Sequence, residues 1–568
     1  MEKDALPRWD LSEIYPSPSS PDFKADVKKV SELKGIIIDN LESFGIRKLL
    51  DLLNESAALV SNLDSYSAAL LSTDTSNSLY MKAVSDAEEA SSAYDEAWQA
   101  FVRSAARRSD EFSDEALEDY RLLLDEILTL SRHQMSEEEE KLTSDFLRLS
   151  SSSWERLQEA VTSTASNNGK TLIELRALAT AQERSVRRDA YEREKTILKE
   201  HEVALAYSLN GVKGTTLMLE KRRGWSSPLE RSLFQSRTTR KALDALIHAI
   251  EKSIPTFRSY MGVKARLLGL EKLSWYDIMA PVGKAKRSYT FKEAEDIVIS
   301  AFSSFSKEMG EFAASAFKNG WIDAEPRKGK VGGAYDTAFR KSGCSRVLLN
   351  YDYTYDGVST LAHELGHAYH DHTVMDLPPL LSDYPMTLAE SASIFSETLV
   401  FSYLTKRLER EESLPIIEQF VSSANQTCLD ILSRFYFESA VFERRREGEL
   451  SASEFSALML SAQERTYGDA VSDKHEYMWA VKSHYYSEEF SFYNYPYAFG
   501  ELFSLSLFAK AEKDPSFSST YRDILRRTGI DDAKKVAALA GADIEDESFW
   551  LSGLDFIRRY AEELESWL

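Results

Sequence analysis

The stretch that decides the fold is Asp356–His370, DGVSTLAHELGHAYH. Set on a helix, Val358, Leu361, Ala362, Leu365 and Tyr369 fall along one face. Thr360, His363, Glu364, His367 and His370 fall on another. The first stripe suits a core and the second a cleft. His363 and His367 stand one turn apart, so both imidazoles can reach a single metal ion at about 2.0–2.1 Å. Glu364 lies beside them, placed to take a proton from a water on that ion rather than to bind it. Ser359 and Thr360 read as capping residues near the helix start. Gly366 inside the helix costs about 1 kcal/mol relative to alanine. Close approach of another backbone or a simple packing need would each account for it.

A hydrolytic zinc site needs three protein ligands and an open position for water. The third is sought downstream, on Thr387–Leu399 (TLAESASIFSETL). Glu390 follows His367 by 23 residues, and the three prolines in HDHTVMDLPPLLSDYPM suit a turn between two helices. Glu390 is therefore assigned to the metal, with one Zn2+ expected per chain. Glu397 lies two turns beyond it on the same face, with Ser393 between. It is expected to accept a hydrogen bond from a ligand imidazole. His370 as a fourth ligand would close the site to water, so it is read as a packing neighbour of the site. The spacing HExxHxxGxxH is absent: His370 stands where its glycine would fall and Thr373 where its third histidine would.

Outward from this segment the chain reads as helix after helix, from about residue 22 to 250. In Leu79–Arg107, Tyr80, Val84, Ala87, Ala90, Tyr94, Trp98 and Phe101 recur at three- and four-residue steps. Near residue 270 the texture changes. LSWYDIMAP (residues 273–281) is short and aromatic, and Lys328–Tyr353 is rich in glycine and turn residues. Arg346–Asn350 reads as a strand of the one small sheet in a mainly α protein. A length of 568 residues implies two or three domains. The expected division is an N-terminal helical domain, 1–205, and a catalytic domain, 206–568.

Composition excludes several classes. The net charge of −23 argues against a nucleic-acid or anionic-membrane partner. It fits general solubility or an acidic cavity for cationic substrates. No run of eighteen apolar residues occurs, and MEKDALPRWDLSEIYPSPSSPDF has no apolar signal core, so a cytoplasmic setting is expected. Cys344 and Cys428 are too few for a disulfide framework.

HELGHAYH (363–370) and AESASIFSE (389–397) resemble the zinc-site pair of the family M3 metallopeptidases, the group of oligoendopeptidase F, thimet oligopeptidase and neurolysin. RWDLSEIYPS (8–17), GGAYDTAF (332–339) and VLLNYDYTYDGVSTLAHELGH (347–367) resemble the oligoendopeptidase F branch. The resemblance implies a two-lobed helical fold around a deep channel, with the small sheet beside the zinc. It implies a zinc endopeptidase acting on short peptides. It also gives SHYYSEEFSFYNYPYAFG (483–500) the task of stabilising the tetrahedral intermediate. His484 and Tyr495 take that role, Tyr486 is a weaker candidate, and Tyr493 or Tyr497 could substitute. Gly332–Tyr335 and the neighbouring strand edge are expected to hold substrate main chain. Two other readings stay open: a helical HExxH dipeptidyl carboxypeptidase, and a non-catalytic peptide-binding protein of the same fold. Oligomeric state and cleavage preference are not legible.

Overall fold

Apolar residues at helical spacing bury one face of helix after helix along most of the chain. In the computed structural model, which describes residues 5–283 and 287–568, helices dominate and the strands form only small sheets. Helix Ser78–Arg107 shows how the spacing works. Its buried line is Ala83, Ala87, Ala90, Ala97 and Phe101, with Tyr94 and Trp98 half-buried at its flank. Small residues on that line let it pack closely on helices Pro21–Asp39 and Ile46–Thr73.

The chain forms two compact units, each built from three separate stretches. The first comprises Met1–Arg132, Lys286–Arg407 and Lys510–Ala542, and the second His133–Ala285, Leu408–Ala509 and Asp543–Leu568. Position 205 falls inside the continuous helix Arg184–Arg223. Helical periodicity carries no mark of where a chain leaves one unit for another.

In the first unit, Tyr15, Phe23, Leu63, Tyr66 and Phe101 form a core with Phe339 and Leu348 of a three-stranded sheet. Its middle strand, Cys344–Leu348, runs parallel to Ile322–Asp323 and antiparallel to Tyr335–Phe339. Tyr335 stands opposite Leu348, and Phe339 opposite Cys344. The strand expected at Arg346–Asn350 thus starts two residues earlier. The outer strand lies against helix Ile46–Thr73, where Ser65 Oγ donates to Ala338 O at 2.9 Å. Asn350 Nδ2 donates to Gly333 O at 3.1 Å. Within Gly332–Tyr335, expected to hold substrate main chain, the Gly333 carbonyl thus already has a protein partner. The helix Tyr355–Val374 packs on this sheet and on helix Ser391–Thr405.

In the second unit, Leu198, Leu205, Phe437, Phe455 and Trp479 build a separate core. Lys213 and Glu438 form a fully buried ion pair at 2.7 Å. A single π turn, Gln426–Asp430, joins helices Arg410–Asn425 and Ile431–Arg445. Among the described residues, no helix is long and apolar enough to cross a membrane. Cys344 and Cys428 are both free thiols.

Candidate metal centre

The HExxH segment lies on the helix Tyr355–Val374. Its cap is Thr354, whose hydroxyl accepts from Gly357 N at 3.2 Å. Ser359 and Thr360, expected at the start, lie a turn inside. The Val358, Leu361, Ala362, Leu365 and Tyr369 stripe is buried, as its spacing predicts. Gly366 faces the neighbouring helix. A Cβ there would come within 2.6 Å of Ser396 Oγ and 2.7 Å of Ala392 O. The glycine is a close-approach residue between two helices.

That approach brings the ligands together. His363 Nε2 and His367 Nε2 are 3.2 Å apart. Glu390 Oε2 lies 3.4 Å from the first and 3.5 Å from the second. A tetrahedral ion with bonds of 2.0–2.1 Å sets its ligand atoms roughly 3.3–3.4 Å apart. The donor triangle therefore fits a zinc-sized ion, and two imidazoles with one carboxylate form a donor set that leaves a position open. Glu390 occupies the break between the turn Met386–Ala389 and the helix Ser391–Thr405. Ser393 Oγ donates to its Oε2 at 2.7 Å, fixing the carboxylate.

The surrounding groups orient the ligands. His363 Nδ1 donates to Glu397, so Nε2 is the ring nitrogen turned toward the donor set. Ser359 Oγ donates to the other oxygen of Glu397 at 3.1 Å. Burial alone would lower the His363 pKa, but the charge and hydrogen bond of Glu397 carry it to about 9. Burial opposes ionisation of Glu390 too, yet the hydrogen bond from His367 and the charge of His363 hold it at about 2. Glu364 is buried, and desolvation raises its carboxyl above the ordinary range.

His370 turns away from the ligands. Its Nε2 lies 2.8 Å from Thr528 Oγ1, and its ring stacks on Tyr384 at 4.0 Å. Burial pushes its pKa down to about 3. It is a neutral packing residue.

Sequence reasoning missed Asp336. This residue sits half-buried on the strand Tyr335–Phe339, its Oδ1 enclosed, and shares a hydrogen bond with Asp371, one turn after His367. Burial and the charge of Asp371 raise the Asp336 carboxyl well above its usual range. Asp371 also meets Tyr384 Oη at 3.3 Å and Arg340 Nη2 at 3.5 Å. No local pattern links positions so far apart in sequence.

In the second unit, His484 Nδ1 lies 3.2 Å from Asn494 Oδ1. Arg434 Nη1 donates to the same oxygen at 2.9 Å, which fixes the amide orientation. His484 Nδ1 must therefore carry the proton. Burial, reinforced by Arg434 and Lys482, keeps the ring below its ordinary pKa, so Nε2 is an acceptor. The tyrosines divide into two groups. Tyr486 is buried, and Tyr495 is buried with its hydroxyl donating to Ser232 O at 3.3 Å. Tyr493 and Tyr497 are half-exposed and flank His484 at ring distances of 4.6 and 6.1 Å. The structure thus turns Tyr495 and Tyr486 inward and groups Tyr493 and Tyr497 with His484. Crowded tyrosines of one short segment give no sequence signal for which ones face out.

The profile of peptidase family M3 matches residues 177–556, and that of oligopeptidase F matches residues 107–165. An oligoendopeptidase F homolog of Lactococcus lactis subsp. lactis (strain IL1403) is 24% identical over 98% of this chain and 96% of its own length. Oligopeptidase PepF of Bacillus subtilis (strain 168) is 24% identical over 92% of this chain and 83% of its own. Among solved structures, a chain from Chlamydophila abortus aligns with a TM-score of 0.86 at 22% identity, covering 99% of this chain and 98% of that one. Oligoendopeptidase F from Enterococcus faecium aligns at 0.69 and 18% identity, covering 96% and 98%. With two histidines and a glutamate converging as a metal donor set, and with a family match over most of its length, the chain belongs to peptidase family M3 and is a metalloendopeptidase.

Proposed function

We propose that the protein is a zinc endopeptidase that hydrolyses oligopeptides, with Glu364 as its general base. The observation that carries this reading is the donor triangle of His363, His367 and Glu390, with edges of 3.2, 3.4 and 3.5 Å. The names of the Lactococcus and Bacillus relatives support the peptide class. Zinc held by these three residues supplies a Lewis acid that polarises a carbonyl and makes water nucleophilic at neutral pH. Glu364 takes the proton of the attacking water and passes it to the departing amine. Glu397 and Ser359 hold His363 in the tautomer that ligates. In the segment 483–500, Tyr493 and Tyr497 supply hydroxyl donors for the oxyanion. His484 Nε2, lacking a proton, accepts a substrate N–H. The free thiols Cys344 and Cys428 suit a cytoplasmic setting.

The test is Glu364→Gln. The variant should bind one zinc per chain and lose roughly 10²–10⁴-fold in kcat, the usual contribution of a general acid–base group. Full turnover in that variant would remove Glu364 from the mechanism. A peptide blocked at both ends should be cleaved internally. Release of C-terminal dipeptides alone would mark a dipeptidyl carboxypeptidase instead.

A further inference from the structure

A cavity of about 120 Å3 lies within the second unit, lined by Arg176, Tyr191, Trp275, Gln426, Asp430 and Lys482 among others. One water needs on the order of 10–15 Å3 by the same measure, so the cavity has room for a side-chain-sized group. Gln426 and Asp430 are the first and last residues of the π turn. Such turns re-aim side chains and recur at functional sites.

The charges facing this space are matched, with one exception. Arg176 pairs with Glu194. Arg187 pairs with Asp277 at 2.9 Å, and Arg434 with Asp430 at 2.5 Å. Lys482 Nζ has no hydrogen-bond or ion-pair partner among the described residues, although its side chain is half-buried. Burial and the charge of Arg434 lower its pKa to about 8. Among the described residues no protein counter-charge lies within reach of this ammonium, so an anion entering the cavity would supply the missing one. The walls narrow the choice of anion. Tyr191 and Trp275 offer ring surface for an aliphatic stem, and a single ammonium suits a single negative charge.

We propose that this cavity binds a carboxylate of the peptide substrate on Lys482, either an acidic side chain or the C-terminal carboxylate. The substrate part of this inference rests on the oligopeptidase reading. Lys482 precedes His484 by two residues, and its charge already acts on that imidazole. An occupant would therefore sit beside the segment to which the oxyanion role is given. It would also make the protein select for an anionic feature in its peptides, despite a net charge of −23.

Two arms test it. In the first, the full chain is reductively methylated with ¹³C, and the Lys482 resonance is assigned by its loss in Lys482→Met. N-acetylglutamate α-amide and N-acetylglycine should each be tried, with N-acetylglutamine amide as the neutral control. The expected result is that a carboxylate probe shifts the resonance and raises its titration midpoint above about 8. The probe that acts identifies side-chain or C-terminal recognition. No shift with either carboxylate overturns the site. In the second arm, zinc-loaded enzyme is given peptide pairs that differ only as Glu against Gln, or as free against amidated C-terminus. Wild type should prefer the anionic member by at least about tenfold in kcat/KM, a difference of about 1.4 kcal/mol. Lys482→Met should abolish the preference and Lys482→Arg should retain it. Equal preference in wild type and Lys482→Met refutes the substrate role. If no peptide is cleaved, the oligopeptidase reading fails, while the resonance still reports on the cavity.

Discussion

Asp336 shows how a single residue can tie stability to pH. It is half-buried on the strand beside the HExxH helix with its Oδ1 enclosed, and its carboxyl is held protonated well above the ordinary range by desolvation and by Asp371. The folded state thus keeps a proton that the unfolded chain releases near pH 4. The stability this gives is complete below that pH and is lost as pH rises toward the folded value. The slope is at most about 1.4 kcal/mol per pH unit. Asp336→Asn keeps a donor for Asp371 and removes the titration. Its thermal midpoint should fall less steeply than that of wild type between about pH 5 and pH 8. Parallel curves for the two proteins would show that Asp336 does not titrate as described. The residues legible from sequence were those fixed by local geometry. His363 and His367 meet because four residues make one helical turn. Glu390 required only the rule that zinc hydrolysis takes a third ligand. The Asp336–Asp371 contact, the inward turn of Tyr495 and the tautomer of His484 depend on partners from other elements.

At the scale of elements, the contact between helices Tyr355–Val374 and Ser391–Thr405 sets the spacing of the donors. Gly366 permits it. Gly366→Ala improves helix propensity by about 1 kcal/mol but drives a methyl into Ser396 Oγ and Ala392 O. Overpacking of this kind costs about 1–3 kcal/mol. The variant should melt lower than wild type and hold zinc more weakly, read by calorimetry and by competition with a chromogenic chelator. An unchanged zinc affinity would separate helix spacing from ligand placement. Helices were readable from apolar spacing, although in Ser78–Arg107 the most buried line proved to be the alanines rather than Tyr94 and Trp98. The π turn at Gln426–Asp430 was not readable, because an extra residue in a helix leaves no compositional mark.

At the scale of the whole molecule, neither unit is a continuous piece of sequence. Residues 1–205 contain one stretch of the first unit and only part of a stretch of the second. Expressed alone, that fragment should lack a cooperative thermal transition, because the cores of both units draw on later segments. A sharp melt and dispersed amide resonances from the fragment would establish an autonomous N-terminal domain. The same interleaving bears on how the protein is made. The core of the first unit draws on residues as late as Ile530, and that of the second on residues as late as Tyr486. The helices before Arg132 therefore emerge well ahead of Phe339, Leu348 and Ile530, which help to bury them, and their apolar stripes stay partly uncovered until then. Synthesis of this enzyme should lean on chaperones that shield the emerging chain, more than a protein whose domains follow one another in order.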